Sequence, residues 1–236
     1  MIYQVITREN YDSLIGSSCD LLINANGNSK KFLGNQDPKW EFQASVASVR
    51  NSLVDFDFKK YLFLSTSDVY PDCSSLDSTR EESVPQPSEI STYGFHKYLA
   101  EQCVQHAAGE WLIVRMGGFV GPGLKKNAVY DILNDQPLWV HPESEFQLIH
   151  SDDSARLIMS LTDKNISHEI LNLTAKGTIS VKTISELAGK IIENRSDATP
   201  VRYEISTAKV EQYLTLPDSE SCVKKFIAKD GIMKPN

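Results

Sequence analysis

Four short apolar runs, each separated from the next by enough chain for a helix, constrain this sequence more than any other feature. They are DLLINAN at 20–26, YLFLST at 61–66, LIVRM at 112–116 and EILNLT at 169–174. Runs of this length and content read as strands covered on both faces, and helical connections between them require parallel pairing. Residues 37–53 supply one such helix, with Phe42, Val46, Val49 and Leu53 at spacings of four, three and four. A second helix begins near Ser91, between the second and third runs. With residues 1–7 read as a β-rich first strand and 9–15 as a short helix, the expected fold class is α/β. It is a Rossmann-like, doubly wound, mainly parallel sheet of five strands.

Further along, 152–161 reads as a short helix. Residues 180–194 read as a longer one, with Ile184, Leu187, Ala188, Ile191 and Ile192 as its stripe behind a serine cap. The acidic, Pro- and Ser-containing stretch 71–89 has no period and reads as a surface loop that dips toward the second run. The last 40 or so residues, with Pro200, Pro217, Asp230-Gly231 and Pro235, read as short extended pieces and turns.

Of the 236 residues, 41% are hydrophobic, enough for a sizeable core. A net charge of −7 without any basic stripe argues against nucleic acid or an anionic membrane surface as the main partner. The opening MIYQVITREN lacks the regions of a signal peptide, and no apolar run approaches the ~20 residues of a membrane span. Cys19, Cys73, Cys103 and Cys222 are far apart with no C-x-x-C pair, as expected of a cytoplasmic protein in a reducing compartment. The histidines at 96, 106, 141, 150 and 168 lack metal-ligand spacing, so no metal site is expected and each reads as an ordinary surface or helix residue.

The chemistry gathers around residues 61–97. A helix from Ser91 projects the phenol of Tyr93 and the ammonium of Lys97 from one face, because residues four apart are neighbours there. A cation beside a phenol favours the phenolate, which would make Tyr93 a general base near neutral pH. The hydroxyl of Thr66, at the end of YLFLST, is the third candidate.

These residues carry a resemblance. Ser65-Thr66-Ser67-Asp68-Val69-Tyr70, followed by Tyr93-Gly94-Phe95-His96-Lys97 with Glu101 one turn on, resembles the S-[ST]-x-x-V-Y and Y-G-x-S-K-x-x-x-E segments of the extended short-chain dehydrogenases. These are the NAD-dependent sugar-nucleotide epimerase/dehydratase family. Residues 20–25 look like that family's fourth strand, and 147–156 (QLIHSDDSAR) look like its I-H-V-D-D-V-A segment. Arg115 with Val120-Gly121-Pro122-Gly123 looks like its sugar-nucleotide pocket stretch.

The resemblance implies NAD or NADP as cofactor, a nucleotide sugar as substrate, and Thr66, Tyr93 and Lys97 as catalytic residues. Lys97 would also hold the nicotinamide ribose, with Asn24 and Ala25 beneath the cofactor. Ser67, Asp68, Gly118, Lys125, Lys126 and Asn127 would face the substrate. It divides the chain into a core over 1–175, with a pocket insert at about 117–150, and a C-terminal helix and substrate-facing region over 176–236.

The departures are as informative. Nothing before Asp20 matches the family's G-x-x-G-x-x-G turn, where bare backbone approaches a pyrophosphate at a helix N-terminus. The cluster Gly117, Gly118, Gly121 and Gly123 imitates such a turn, but Pro122 removes a donor, so it reads as the family's G-P turn beside the substrate. Lys125-Lys126-Asn127 is either a solvated helix start or a diphosphate clamp. Where sugar dehydratases carry an Asp-Glu pair, this chain has Ser67-Asp68, and one carboxylate does not readily serve as both acid and base. The reading is therefore an NAD(P)-dependent epimerase or keto-reductase of a nucleotide sugar. The alternative is a binding or assembly subunit that has lost the dinucleotide site. The first strand, lacking outer neighbours, is expected to be covered along its edge by a C-terminal segment or by pairing with a second copy or a partner subunit.

Overall fold

The computed structural model describes residues 3–28, 31–192 and 198–230. In chain order its helices are α1 (Tyr11–Leu14), α2 (Leu33–Gln36), α3 (Pro38–Phe42), α4 (Ser48–Asp55), α5 (Thr92–Ala107), α6 (Ala128–Leu133), α7 (Ser151–Thr162), α8 (Val181–Ala188) and α9 (Ser219–Asp230). The strands are β1 (Ser18–Asn24), β2 (Asp57–Thr66), β3 (Trp111–Met116), β4 (Gly118–Val120), β5 (Glu145–Phe146), β6 (Leu148–His150), β7 (Glu169–Leu173), β8 (Ile179–Ser180) and β9 (Arg202–Tyr203). The main sheet has the order β1-β2-β3-β7 and is mainly parallel with flanking helices, the Rossmann-like α/β arrangement. The described residues divide into two units, one from 1–69, 86–114 and 167–170, the other from 70–85, 115–166 and 171–236.

In the first unit β1 and β2 pair in parallel from Ser18 opposite Asp57 to Asn24 opposite Phe63. Val49 and Leu53 of α4 and Ala100 and Val104 of α5 close over Tyr61 and Phe63 of β2 and Trp111 and Ile113 of β3. Between α3 and α4 the helix widens into a π turn over Gln43–Ala47. That extra width shifts the phase of the residues before it. Val46, Val49 and Leu53 are buried as their spacing predicts, but Phe42 is 39% exposed and Glu41 and Ser45 face inward instead.

The second unit pairs β4 with β6 in parallel and β5 with both β8 and β9. Helix α9 packs on β6 and α6 on α8. No described helix is long and apolar enough to cross a membrane.

Four expectations need correction. The first strand expected over 1–7 is absent from its described part: residues 3–7 are irregular. Asn10 braces them instead, its amide donating to the Val5 carbonyl at 3.0 Å while its Oδ1 accepts from the Thr7 N–H at 2.7 Å. Tyr3, 82% exposed, and Val5 find no apolar face to cover, so the main sheet has four strands rather than five.

The run at 20–26 is correspondingly an edge strand rather than one covered on both faces, exposed at Ser18, Cys19, Asp20 and Ile23. The helix expected over 180–194 stops at Ala188, because Gly189 adopts the left-handed conformation (φ 63°) that ends helices. Ile191 lies beyond it in solvent, and 193–194 fall outside the described residues. The C-terminal stretch, read as turns, contains α9, which buries Cys222, Val223 and Phe226. Its start signal is Asp218, whose Oδ1 accepts from the Ser221 N–H at 2.8 Å.

Candidate active site

Helix α5 positions the candidate site because its first turn is fastened from several sides. Ser91 caps it, its hydroxyl accepting from the Gly94 N–H at 3.2 Å, and the Thr92 hydroxyl donates to Asn35 Oδ1 of α2 at 2.9 Å. Gly94 lets the turn sit against β2's exit: a Cβ there would lie 2.0 Å from the Asp68 carbonyl oxygen. One face of the helix then aims Tyr93, Lys97 and Glu101 along the end of β2.

Lys97 is 3% exposed, donates to the Leu64 carbonyl at 2.9 Å and lies 4.2 Å above the Phe63 ring. Glu101, fully buried, accepts from the Ser65 hydroxyl at 2.5 Å. Thr66 ends β2, and its hydroxyl donates to Asp68 Oδ2 at 2.9 Å while accepting from the Asp68 N–H at 3.2 Å. The Thr66 side chain also hydrogen-bonds the Tyr93 phenol. Thr66, Tyr93 and Lys97 thus gather at one strand end.

Their electrostatics differ from the sequence expectation. Burial pushes the Tyr93 phenol well above 10, with the Asp68 and Glu41 carboxylates adding to the rise and the Thr66 bond opposing it. This direction, set first by burial and then by the two carboxylates, is opposite to the activation expected from a neighbouring cation. Burial lowers Lys97 from 10.5 to about 8, with Glu101 and Glu41 opposing.

Asn24 and Ala25 lead into the loop that passes Lys97: a Cβ at Gly27 (φ 154°) would lie 3.6 Å from the Lys97 Nζ. The Asn24 amide donates inward to Ser52 at 3.0 Å and to the Tyr61 hydroxyl at 2.7 Å, and its Oδ1 accepts from the Asn26 N–H. That side chain holds the strand end, and Ala25 is the exposed one.

Ser67 is buried, and Asp68 forms an ion pair with Lys31 at 2.5 Å. The remaining substrate candidates lie in the second unit, where structural roles account for two of them. Gly118 lets β4 approach β6, since a Cβ would come within 2.9 Å of the Gln147 carbonyl oxygen and the Leu148 side chain. Asn127 caps α6, accepting from the Tyr130 N–H at 3.1 Å and donating to the Phe119 carbonyl at 2.9 Å. Lys125 and Lys126 are exposed.

Sequence reasoning missed three groups. Lys31 reaches Asp68 from a loop with no pattern of its own. Glu41 is fully buried, accepts from Ser45 Oγ on one oxygen and shares a hydrogen bond with His96 Nδ1 on the other. His96, read as an ordinary helix residue, is buried too. The available signal was its position three after Tyr93, which turns it to the flank of the same face. Among the described residues no group of three or more His, Cys, Asp or Glu side chains is placed to hold a metal. A shallow depression lined by Ser18, Cys19, Asp20, Asp57, Phe58 and Lys59 lies at the other end of β1 and β2 from Thr66.

A strand ending in Ser-Thr beside a helix that presents Tyr and Lys four apart is the arrangement that the sequence resemblance anticipates, and a model of the NAD dependent epimerase/dehydratase family matches residues 5–174. The chain belongs to that family.

Solved structures show the same fold. A UDP-glucuronic acid 4-epimerase from Bacillus cereus, in complex with UDP-4-deoxy-4-fluoro-glucuronic acid and NAD, is 18% identical with a TM-score of 0.70, covering 89% of this chain and 76% of its own. RMD from Pseudomonas aeruginosa, complexed with NADPH, is 16% identical with a TM-score of 0.73, covering 87% and 80%. A UDP-glucose 4-epimerase from Thermotoga maritima with UDP-glucose is 16% identical with a TM-score of 0.68, covering 87% and 75%. At these identities the likeness carries the fold and not the reaction. No curated protein matched the sequence.

Within the epimerase/dehydratase family the cofactor is a dinucleotide, and the residues here fit one end of it. Lys97 and the Gly27 loop are the residues that would face a ribose there. Upstream of β1, however, the described residues form a turn braced by the Asn10 side chain rather than a glycine-rich turn of the kind that offers a pyrophosphate a run of backbone N–H groups.

Proposed function

We propose that this chain is an NAD(P)-dependent epimerase or keto-reductase acting on a nucleotide sugar. The observation that carries this reading is the gathering of Tyr93, Thr66 and buried Lys97 at the end of β2. A bound dinucleotide would supply the hydride donor or acceptor. Tyr93 exchanges a proton with the sugar oxygen, Thr66 hydrogen-bonds that oxygen, and Lys97 holds the ribose and stabilises the phenolate as it forms.

The raised phenol stands in the protonation state from which keto reduction starts, with Tyr93 as donor. The single carboxylate at Asp68, already engaged by Lys31 and Thr66, supports reduction or epimerisation over water loss. Dinucleotide affinity of the isolated chain is expected to be weaker than micromolar, because the upstream turn lacks the backbone donors. The exposed edge of β1, whose one strand neighbour among the described residues is β2, is the proposed docking line for a second copy or a partner subunit.

The second reading, a binding or assembly subunit of the same fold, draws support from the phenol being raised rather than lowered. Calorimetric titration with NAD(H), NADP(H) and a panel of nucleotide sugars, with turnover measured in parallel, separates the two. The enzyme reading expects nucleotide-sugar binding and turnover, and Tyr93→Phe should abolish turnover while leaving the unfolding midpoint unchanged. Binding without turnover under any cofactor would favour the subunit, and unchanged turnover in Tyr93→Phe would end the assignment of that residue.

A further inference from the structure

The first unit buries four ionisable side chains beside the site: Lys97, Glu101, His96 and Glu41. The first two are fastened to β2, through the Leu64 carbonyl and the Ser65 hydroxyl. The other two form a separate pair. Glu41 shares a hydrogen bond with His96 Nδ1 on one carboxyl oxygen and accepts from the Ser45 hydroxyl on the other. The two bonds take up both oxygens of the Glu41 carboxyl group.

With both oxygens engaged, the buried Glu41 side chain is held in one orientation. His96 lies between Tyr93 and Lys97 on α5, so this pair also ties the site-bearing turn to α3. The phase shift of the π turn is what brings Glu41 and Ser45 to that face.

We propose that Glu41, clamped between Ser45 and His96, is a positioning residue for the site: it ties the first turns of α5, and with them the buried Lys97 side chain, to α3. This rests on the proposed function for its catalytic meaning, though not for its test. The groups facing Lys97 are Glu101 from its own helix, Glu41 from α3, the Phe63 ring and Leu64 carbonyl from β2, and the Gly27 backbone from the loop after β1. Burial lowers Lys97 to about 8, with Glu101 and Glu41 opposing, so a Glu41 moved from its place is read at Lys97.

The test is a direct titration of Lys97 in the intact chain carrying 13C-labelled lysine, its signal assigned by its absence in Lys97→Met. Glu41→Gln is expected to lower the Lys97 midpoint by about one unit, with Glu41→Asp restoring most of the shift. An unchanged midpoint in Glu41→Gln overturns the proposal.

Should Glu41→Gln fail to fold, 15N-histidine spectra of the wild-type chain decide. The His96 Nδ1 signal is expected to be that of a ring nitrogen hydrogen-bonded to a carboxyl group, and a free Nδ1 refutes the clamp. If turnover is found, its alkaline limb should move to lower pH in Glu41→Gln, with kcat falling more than KM rises. A shifted Lys97 midpoint in a chain that turns over no nucleotide sugar would leave the Glu41 role standing and remove the enzymatic reading instead.

Discussion

Lys97 makes this fold's stability depend on pH in a direction opposite to that of most ion-paired lysines. Its folded-state value is about 8 against 10.5 for an unhindered lysine. The unfolded chain therefore binds more protons than the folded one between those values, and stability rises with pH across that window. Below about pH 8 both states carry the proton and the folded state bears the full cost of the buried ammonium. From pH 7 to 9.5 the relief works out at about 1.4 units of free energy in pH terms, or about 2 kcal/mol.

Lys97→Met keeps the length of the side chain and removes the titration. Urea unfolding of both proteins at several values between pH 7 and 9.5 should show the wild type gaining about 2 kcal/mol relative to the variant. Comparison with Lys97→Met cancels what the other groups contribute equally to both proteins. A stability difference that does not change with pH, or that moves against the wild type as pH rises, would refute the account of Lys97 as a buried, marginally held ammonium.

Gly94→Ala places a methyl group 2.0 Å from the Asp68 carbonyl oxygen, so α5 must shift away from β2. The cost should reach or exceed the ~1–3 kcal/mol typical of overpacking, with turnover lost, and an unfolding midpoint equal to wild type would contradict the packing. Ile23→Lys puts a charge on the exposed edge strand β1, and light scattering should then show less association than wild type. Equal and purely monomeric scattering from both proteins would remove the edge as a docking line.

The pairing of Tyr93 with Lys97, and the placement of Thr66 at the end of the preceding strand, were legible in the sequence because both depend on local periodicity. Four residues along a helix and the last residue of an apolar run are fixed by chain geometry before any tertiary contact forms. The parallel order of the main strands followed for the same reason, from runs separated by helical connections. The caps at Ser91 and Ser180 are equally local: each hydroxyl accepts a backbone N–H three residues on.

Tertiary packing decided the rest. Whether residues 3–7 join a sheet depends on an apolar face to cover them, and Tyr3 and Val5 have none. Whether Phe42 or Glu41 turns inward depends on a π turn that no spacing of apolar residues announces. The protonation of the site lay furthest from view. A lysine four residues from a tyrosine predicts an activated phenol, and that would hold in water. In the fold, desolvation of the phenolate raises the phenol and carboxylates from α3 and the turn after β2 add to the rise, and those carboxylates reach Tyr93 only because the chain folds them there.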